Sequence, residues 1–131
     1  MKEVYDFLKK SGTYYLATID GNEPRVRPFG TVDIFENKLY IQTGKVKNVS
    51  KQILANPHIE LCAMTDNNKW IRIEALAVED DRPEPRKHML DEYPSLKARY
   101  AVDDGNTQVF YLKDAVATIA SFTDEPRVIK F

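Results

Sequence analysis

The stretch NEPRVRPFGTV, residues 22–32, places two arginines two positions apart in a segment that otherwise has the composition of a β-strand. Successive side chains of a strand point to opposite faces of the sheet. Arg25 and Arg27 therefore share one face with Phe29, and the apolar residues between them share the other. We expect this apolar set to face the core; its members are Val26, Pro28, Gly30, Val32 and Ile34.

Two residues of this segment restrict where the strand can lie. Pro28 cannot donate to a sheet ladder, so we expect that the strand lies at a sheet edge or that its pairing breaks at Pro28. Gly30 has no side chain and lets another backbone or a ligand come close. Taken alone, the two arginines are most simply a solvated face that pairs with carboxylates such as Glu23 or Glu74, because surface charge is the commoner fate of arginine.

A second stretch, TGKVKNVSKQILANP at residues 43–57, departs from the alternation that is typical of strands. Val49 and Ile53 lie four residues apart, which predicts a short helix with one apolar face. Asn56-Pro57 is a stop signal, so we expect the helix to end there.

The beginning of this predicted helix suits an anion. A helix N-terminus offers free N–H groups and the positive end of the helix dipole. Lys47 and Lys51 are also four residues apart and project from one face, and Thr43 adds a hydroxyl. Arginines on a neighbouring strand can grip the same anion with paired hydrogen bonds. The two stretches together predict a pocket for a phosphomonoester.

The rest of the chain predicts a mainly β fold with short helices. Turn signals such as DGN at 20–22 and EN at 36–37 separate successive strands and indicate an antiparallel sheet. We expect six to seven strands in a small barrel, as one domain spanning residues 1–131. The predicted strands cover residues 13–20, 24–35, 38–44, 58–66 and 69–80, with two or three more in 107–131, and the predicted helices cover 2–11, 47–57 and 82–100, the last interrupted near Pro94.

Composition narrows the class of protein. Hydrophobic residues make up 43% and charged residues 30% of the 131 residues, which is typical of a globular protein. The net charge of −1 argues against a general nucleic-acid binder. No signal peptide or apolar run long enough to span a bilayer is visible, and the single cysteine, Cys62, excludes an internal disulfide. We therefore expect a cytoplasmic protein without a membrane segment.

The sequence offers little support for metal or nucleophile chemistry. His58 and His88 are the only histidines, and no HxxxH, CxxC or carboxylate cluster is visible, so we expect no metal. The chain has no GxSxG, P-loop or GxGxxG motif. Cys62 is best interpreted as a sheltered free thiol. No catalytic side chain is assigned.

Four segments of the chain, taken in order, resemble a known family. The order is YYLATIDGNEPRVRPFG, then LYIQTGKVKNVSKQILANPHIELC, then WIRIEALAV, then VFYLKDAVATIASF. It is similar to the FMN-binding split β-barrel proteins related to pyridoxamine 5′-phosphate oxidase, above all to short members of the nitroimidazole-resistance and general-stress types. The strongest part of the likeness is the RxRP strand followed by T-G-K…K-Q…NP.

The resemblance implies a homodimer with FMN at the interface and an FMN-dependent oxidoreductase acting on a small substrate, such as a nitroaromatic compound, with NADH or NADPH as candidate electron donor. Lys51 is the first choice for the lysine that meets the phosphate, and Trp70 is expected near the partner subunit. The full set of cofactor-binding residues that the resemblance implies is Arg25, Arg27, Pro28, Phe29, Gly30, Gln42, Thr43, Lys47, Asn48, Lys51 and Trp70.

Two further expectations accompany the resemblance. The chain ends at RVIKF without the Arg- and His-rich C-terminal segment of the full-length oxidases, so vitamin B6 oxidation is not expected. The predicted helix at 82–100 is expected to pack as a lid, with Tyr93, Arg99 and Tyr100 on the substrate side of the flavin.

The alternative function is a non-catalytic module that holds a flavin, a deazaflavin or haem as a sensor or store.

Overall fold

The computed structural model describes residues 1–131 as eight strands, three α-helices and one short 3-10 helix. Every helix is short, and none combines the length and apolar character needed to cross a lipid bilayer. The elements in chain order are α1 (Lys2–Ser11), β1 (Tyr14–Asp20), β2 (Glu23–Phe29), β3 (Asp33–Phe35), β4 (Lys38–Gly44), α2 (Asn48–Ala55), β5 (His58–Met64), β6 (Trp70–Glu79), α3 (Pro83–Glu92), the 3-10 helix (Pro94–Ala98), β7 (Thr107–Ala120) and β8 (Arg127–Lys130).

The strands form one antiparallel sheet in the order β2-β1-β5-β6-β7-β4-β3, and β8 pairs with the C-terminal part of β7. Strands β2 and β3 end this order, although they follow each other along the chain. The sheet therefore curls around a core but is not closed by a ladder between its two end strands. The prediction of a mainly β, antiparallel split barrel is confirmed, with eight strands rather than six or seven.

The predicted strand at 24–35 is two strands because the chain leaves one edge of the sheet and joins the other across residues 30–32. Side chains satisfy backbone groups of this connection in place of a ladder. The Tyr14 hydroxyl donates to the Thr31 carbonyl at 2.7 Å, and the Gln42 N–H donates to the Thr31 hydroxyl at 3.1 Å. The predicted edge position of the segment that contains Pro28 is confirmed, since β2 pairs only with β1.

The expectation that the apolar set of residues 26–34 faces the core is wrong for β2. In the ladder with β1, Arg27 lies opposite the fully buried Leu16, whereas Val26 lies opposite Ala17 on the outer side. Val26 is 67% exposed, and Arg27 is half-buried. The register set by the turn at 20–23 decides this, because opposed residues on paired strands point to the same face.

The closing part of the chain forms two strands, which agrees with the expected two or three. Residues 107–120 form one strand, which pairs with β4 through its first part and with β8 through its last part. Its backbone adopts a positive φ of 52° at Asp114, and its register with β6 shifts between Glu74 and Leu76. This bulge bends the strand, so that a single segment serves both parts of the curled sheet.

The main core is a cluster of 21 buried residues enclosed by the sheet, α1 and α2, and a smaller cluster joins Met89 of α3 to Tyr40 and Val109. Val49 and Ile53 of α2 enter it as the helical spacing predicted. On β6 Ile71, Ile73, Ala75 and Ala77 face inward, and Arg72 and Glu74 point outward, which confirms the predicted alternation. The chain leaves α3 at Glu92 and turns into the 3-10 helix at Pro94, so the predicted interruption is also confirmed.

Candidate functional site

A cationic groove of about 700 Å³ runs between the β1–β2 turn, strand β2 and helix α2. It brings together residues that are up to 36 positions apart in the sequence. Five of the predicted site residues line it, together with an amide side chain that was not predicted; they are Arg25, Arg27, Lys47, Asn48, Lys51 and Gln52.

The two arginines of β2 differ in whether a carboxylate neutralises their charge. The Arg25 guanidinium pairs with Asp20 at 3.2 Å and with Glu23 at 2.7 Å, on the exposed side of the turn. Arg27 makes no ion pair, and its hydrogen bonds go to uncharged oxygens. The interpretation as a solvated, carboxylate-paired face therefore describes Arg25 and not Arg27, and the partners of Arg25 include Glu23 but not Glu74.

Helix α2 meets Arg27 through Gln52. The Arg27 guanidinium donates to the Gln52 side-chain oxygen at 2.6 Å, to the Thr18 hydroxyl at 2.8 Å and to the Leu16 carbonyl at 3.2 Å. Burial, and then the charge of Arg25, lower the pKa of Arg27 from its ordinary value. The three hydrogen bonds thus hold the Arg27 side chain in one position, and no carboxylate compensates its charge.

The N-terminus of α2 adds further positive potential to the groove. Lys47 is the N-cap residue, and no side chain caps the helix. Neither Lys47 nor Lys51 forms an ion pair within the chain, and both are exposed. Uncapped N–H groups and the dipole end stabilise an anion at such a position. The groove therefore combines three uncompensated side-chain cations with an open helix end.

A second cavity, of about 270 Å³, lies between residues 28–31, the end of β4 and the segment that follows α3. We call it the lid cavity. Its walls include the predicted site residues Pro28, Phe29, Gly30, Gln42 and Thr43, and the expected lid residues Tyr93, Arg99 and Tyr100. Lys47 lines both the lid cavity and the cationic groove, which makes the two spaces neighbours.

Tyr93 fixes the lid segment to the rest of the protein. Its hydroxyl accepts a hydrogen bond from the Val32 N–H and donates to the Val32 carbonyl, both at 3.0 Å. The ammonium of Lys9 lies 4.4 Å from the centre of the Tyr93 ring and donates to its hydroxyl at 3.2 Å. The connection between β2 and β3 is thereby held at the wall of the lid cavity.

Trp70 is the one predicted site residue that lines neither space. It begins β6 and packs against Phe122, with their ring centres 5.1 Å apart. Because the expected role of Trp70 involves a partner subunit, its cofactor contact stays a prediction.

Thr18 and Gln52 were missed as site residues. Gln52 follows Lys51 in the quoted T-G-K…K-Q…NP motif, so the motif contained the signal for it. Thr18 is 3% exposed, and its hydroxyl lies 2.6 Å from the Gln52 oxygen. The sequence placed Thr18 on the same face of its strand as Leu16, but only the β1–β2 register shows that this face meets Arg27.

The structure differs from the sequence-based interpretation at Cys62 and at one cluster of His and acidic residues. Cys62 is exposed on the outer side of β5 rather than sheltered, because the alternation of that strand buries Leu61 and Ala63 instead. The fold also gathers Asp33, His88 and Glu92, whose potential ligand atoms lie within 4.8 Å of one another. The sequence showed no such cluster because β3 and α3 are about fifty residues apart.

The buried Asp33 carboxylate lies 2.6 Å from Nδ1 of His88 and links β3 to α3. Burial raises the pKa of Asp33, and the hydrogen bond with His88 opposes that rise. The pairing explains how a carboxylate is tolerated there, since a buried charge needs a partner.

A family model described as pyridoxamine 5′-phosphate oxidase matches residues 1–113. The chain belongs to the pyridoxamine 5′-phosphate oxidase family. A NimC/NimA family protein from Clostridium acetobutylicum is 42% identical, with a TM-score of 0.97 over 100% of this chain and 92% of that one. No match was found among curated proteins.

More distant relatives share the fold of this family member. General stress protein 26 from Bacillus anthracis has a TM-score of 0.76 at 16% identity, over 99% of this chain and 97% of that one. A haem-binding protein from Mycobacterium smegmatis has a TM-score of 0.73 at 11% identity, over 98% of this chain and 56% of that one. At these identities the likeness concerns the fold alone.

Proposed function

We propose that this family member binds FMN as a homodimer and serves as an FMN-dependent oxidoreductase for a small molecule. The observation that carries the proposal is the set of cations in the groove. Arg27, Lys47 and Lys51 meet at the N-terminus of α2 without a carboxylate partner, whereas Arg25 beside them is neutralised. A fixed, uncompensated arginine next to an open helix end suits a phosphate dianion.

The groove and the lid cavity fit the two ends of such a cofactor. The phosphate would be held by Arg27, Lys51 and the first N–H groups of α2. The isoalloxazine ring of FMN would lie against residues 28–30, Gln42 and Thr43, which line the lid cavity. Lys47 lies where the two spaces meet and is suited to the part of the ligand between phosphate and ring.

The bound flavin would supply the hydride or electron chemistry, and the chain would bind and orient it. Phe29 and Tyr100 offer aromatic surface on the walls of the lid cavity. Tyr93 keeps the wall at residues 30–32 in place through its two hydrogen bonds to Val32. The space beside Arg99 would admit the small substrate, for which a nitroaromatic compound is our candidate.

The outer face of the sheet supports the homodimer part of the proposal. Residues opposed across β1, β5, β6, β7 and β8 point outward together, as in the row Tyr15, Cys62, Arg72, Thr118 and Val128. Several large apolar side chains are exposed on this face, namely Tyr15, Ile19, Val26, Met64 and Val128. A groove of about 590 Å³ also opens there, between Ile19, Pro24 and Leu76. Clustered exposed apolar side chains of this kind are typical of a protein interface.

Titration of the flavin-free protein with FMN tests the proposal. We expect saturable binding that is weakened at least a hundredfold in the Arg27→Ala/Lys51→Ala double variant. Lys10→Ala/Lys113→Ala removes the same charge from exposed positions outside both spaces and is the matched control. Wild-type protein that takes up no FMN would overturn the proposal.

A second measurement separates an enzyme from the alternative cofactor store. If the bound flavin is reduced by NADH or NADPH and reoxidised by a nitroaromatic acceptor with turnover, the protein is an enzyme. A flavin that binds but is not reduced by either donor would favour a store. A Soret absorption band after addition of haem, in place of flavin uptake, would favour the haem-binding alternative.

A further inference from the structure

The loop at residues 101–106 lies on the segment between β4 and α2. The Lys45 N–H donates to the Asn106 carbonyl at 2.8 Å. The Val46 N–H donates to the side-chain oxygen of Asn106 at 3.1 Å. Asn106 therefore accepts two successive backbone N–H groups of the segment that leads into the cationic groove, although it does not line that groove.

Asn106 is itself held by Asp104. One oxygen of the Asp104 carboxylate accepts the N–H groups of Asn106 at 2.8 Å and Thr107 at 2.7 Å. The other oxygen accepts the Ala101 N–H and the Thr107 hydroxyl, both at 3.0 Å. Desolvation raises the pKa of Asp104, but these hydrogen bonds outweigh it and hold the pKa well below its ordinary value. The loop is thus a fixed turn.

The contact between the loop and the segment is close. A Cβ atom at Gly44 would lie 3.1 Å and 3.2 Å from the side-chain amide atoms of Asn106 and 3.3 Å from the Tyr100 ring. Three residues later the Lys47 N–H donates to the Gly44 carbonyl at 3.0 Å and closes a turn. That turn delivers Lys47, the N-cap of α2, to the boundary between the groove and the lid cavity.

We propose that Asn106 is a positioning residue for the phosphate end of the cofactor site. It fixes residues 44–47, and through them the first N–H groups of α2, in the position that receives a phosphate. This role rests on the proposed function, because it concerns the same groove. It also ties the lid segment, which ends in this loop, to the phosphate end of the site.

The test compares FMN with riboflavin, which has the same ring but no phosphate. In Asn106→Ala we expect FMN affinity to fall about threefold to tenfold relative to the wild type, as for the loss of one hydrogen bond. Riboflavin affinity should stay within about twofold, so the preference for FMN should fall. A general loss of structure would lower the affinities for FMN and riboflavin alike. Asn67→Ala, in the turn between β5 and β6, removes a comparable acceptor outside both spaces and should leave the preference unchanged.

The outcomes are distinguishable. An Asn106→Ala variant that keeps the wild-type preference, or loses both ligands equally, would overturn the positioning role. If the wild type binds no flavin, binding of inorganic phosphate is measured by chemical shifts of the α2 amides. Phosphate binding weakened in Asn106→Ala would then support the positioning role while the FMN proposal fails, and no phosphate binding would overturn both. Asp104→Asn, which should lower the same preference, replaces Asn106→Ala if that variant does not fold.

Discussion

The Arg27 guanidinium donates a 2.6 Å hydrogen bond to the side-chain oxygen of Gln52, and this bond joins the edge strand β2 to helix α2. The acceptor is an amide, so the bond orients the guanidinium without neutralising it. The Thr18 hydroxyl lies 2.6 Å from the same oxygen and 2.8 Å from Arg27, which completes a triangle of polar groups. This geometry keeps a fixed positive charge available at the wall of the groove.

Replacing Gln52 with glutamate should weaken FMN binding. Gln52→Glu keeps an acceptor within reach of Arg27 but adds a carboxylate that neutralises it and repels a phosphate. We expect a loss of affinity of about tenfold or more, the equivalent of about 1.4 kcal/mol. Isothermal titration calorimetry with FMN measures it, with riboflavin as the phosphate-free comparison. Unchanged FMN affinity would show that Arg27 does not meet the phosphate.

The two arginines of β2 should differ in their effect on the same titration. Arg27→Ala removes an uncompensated charge and should reduce FMN affinity by about 2 kcal/mol or more. Arg25→Ala removes a charge already paired with Asp20 and Glu23, so we expect a loss below about 0.5 kcal/mol. A larger effect from Arg25→Ala than from Arg27→Ala would contradict this assignment.

Asp80 should make stability depend on pH. Hydrogen bonds from Arg82, and from the hydroxyl of the buried Tyr40 at 2.7 Å, hold the pKa of Asp80 well below its ordinary value of 3.8. A lowered pKa in the folded state means that the stabilisation is present above that ordinary value and is lost as the pH falls below it. Asp80→Asn should therefore cost about 1–3 kcal/mol at pH 7.

Urea unfolding of wild type and Asp80→Asn at several pH values checks this. The difference in the free energy of unfolding should narrow as the pH falls below 3.8. A difference that is constant from neutral to acidic pH would show that the charge of Asp80 contributes no stability. Asp124→Asn, at an exposed position near the end of β7, is the control and should show little difference at any pH.

The outer sheet face should determine the oligomeric state. Met64 and Val128 are 54% and 58% exposed there, and placing charge in a buried apolar contact is costly. Met64→Lys/Val128→Lys should convert the proposed dimer to a monomer in light scattering coupled to gel filtration. Leu54→Lys, on α2 and 60% exposed, is the control and should leave the mass unchanged. A double variant of unchanged dimeric mass would place the interface elsewhere.

Much of the site was accessible from the sequence because its residues fall in two short stretches with strong local rules. The helix at 48–55 follows from the spacing of Val49 and Ile53 and from the stop at Asn56-Pro57. The turn at 36–37 follows from Asn37, a residue type that tolerates positive φ; φ is 60° there and 49° at the preceding Glu36. Local signals of this kind act over a few residues and do not depend on the rest of the fold.

The sequence by itself determined that β-strands dominate, where most of them lie, and which cations stand next to a helix N-terminus. Only the tertiary structure decided which face of β2 turns inward, because the register with β1 and not the polarity of the strand sets that choice. It also decided that Arg25 is neutralised while Arg27 is not, and that Asn106 supports a segment sixty residues away. Pairing of distant groups depends on how the sheet curls, and no local pattern encodes that.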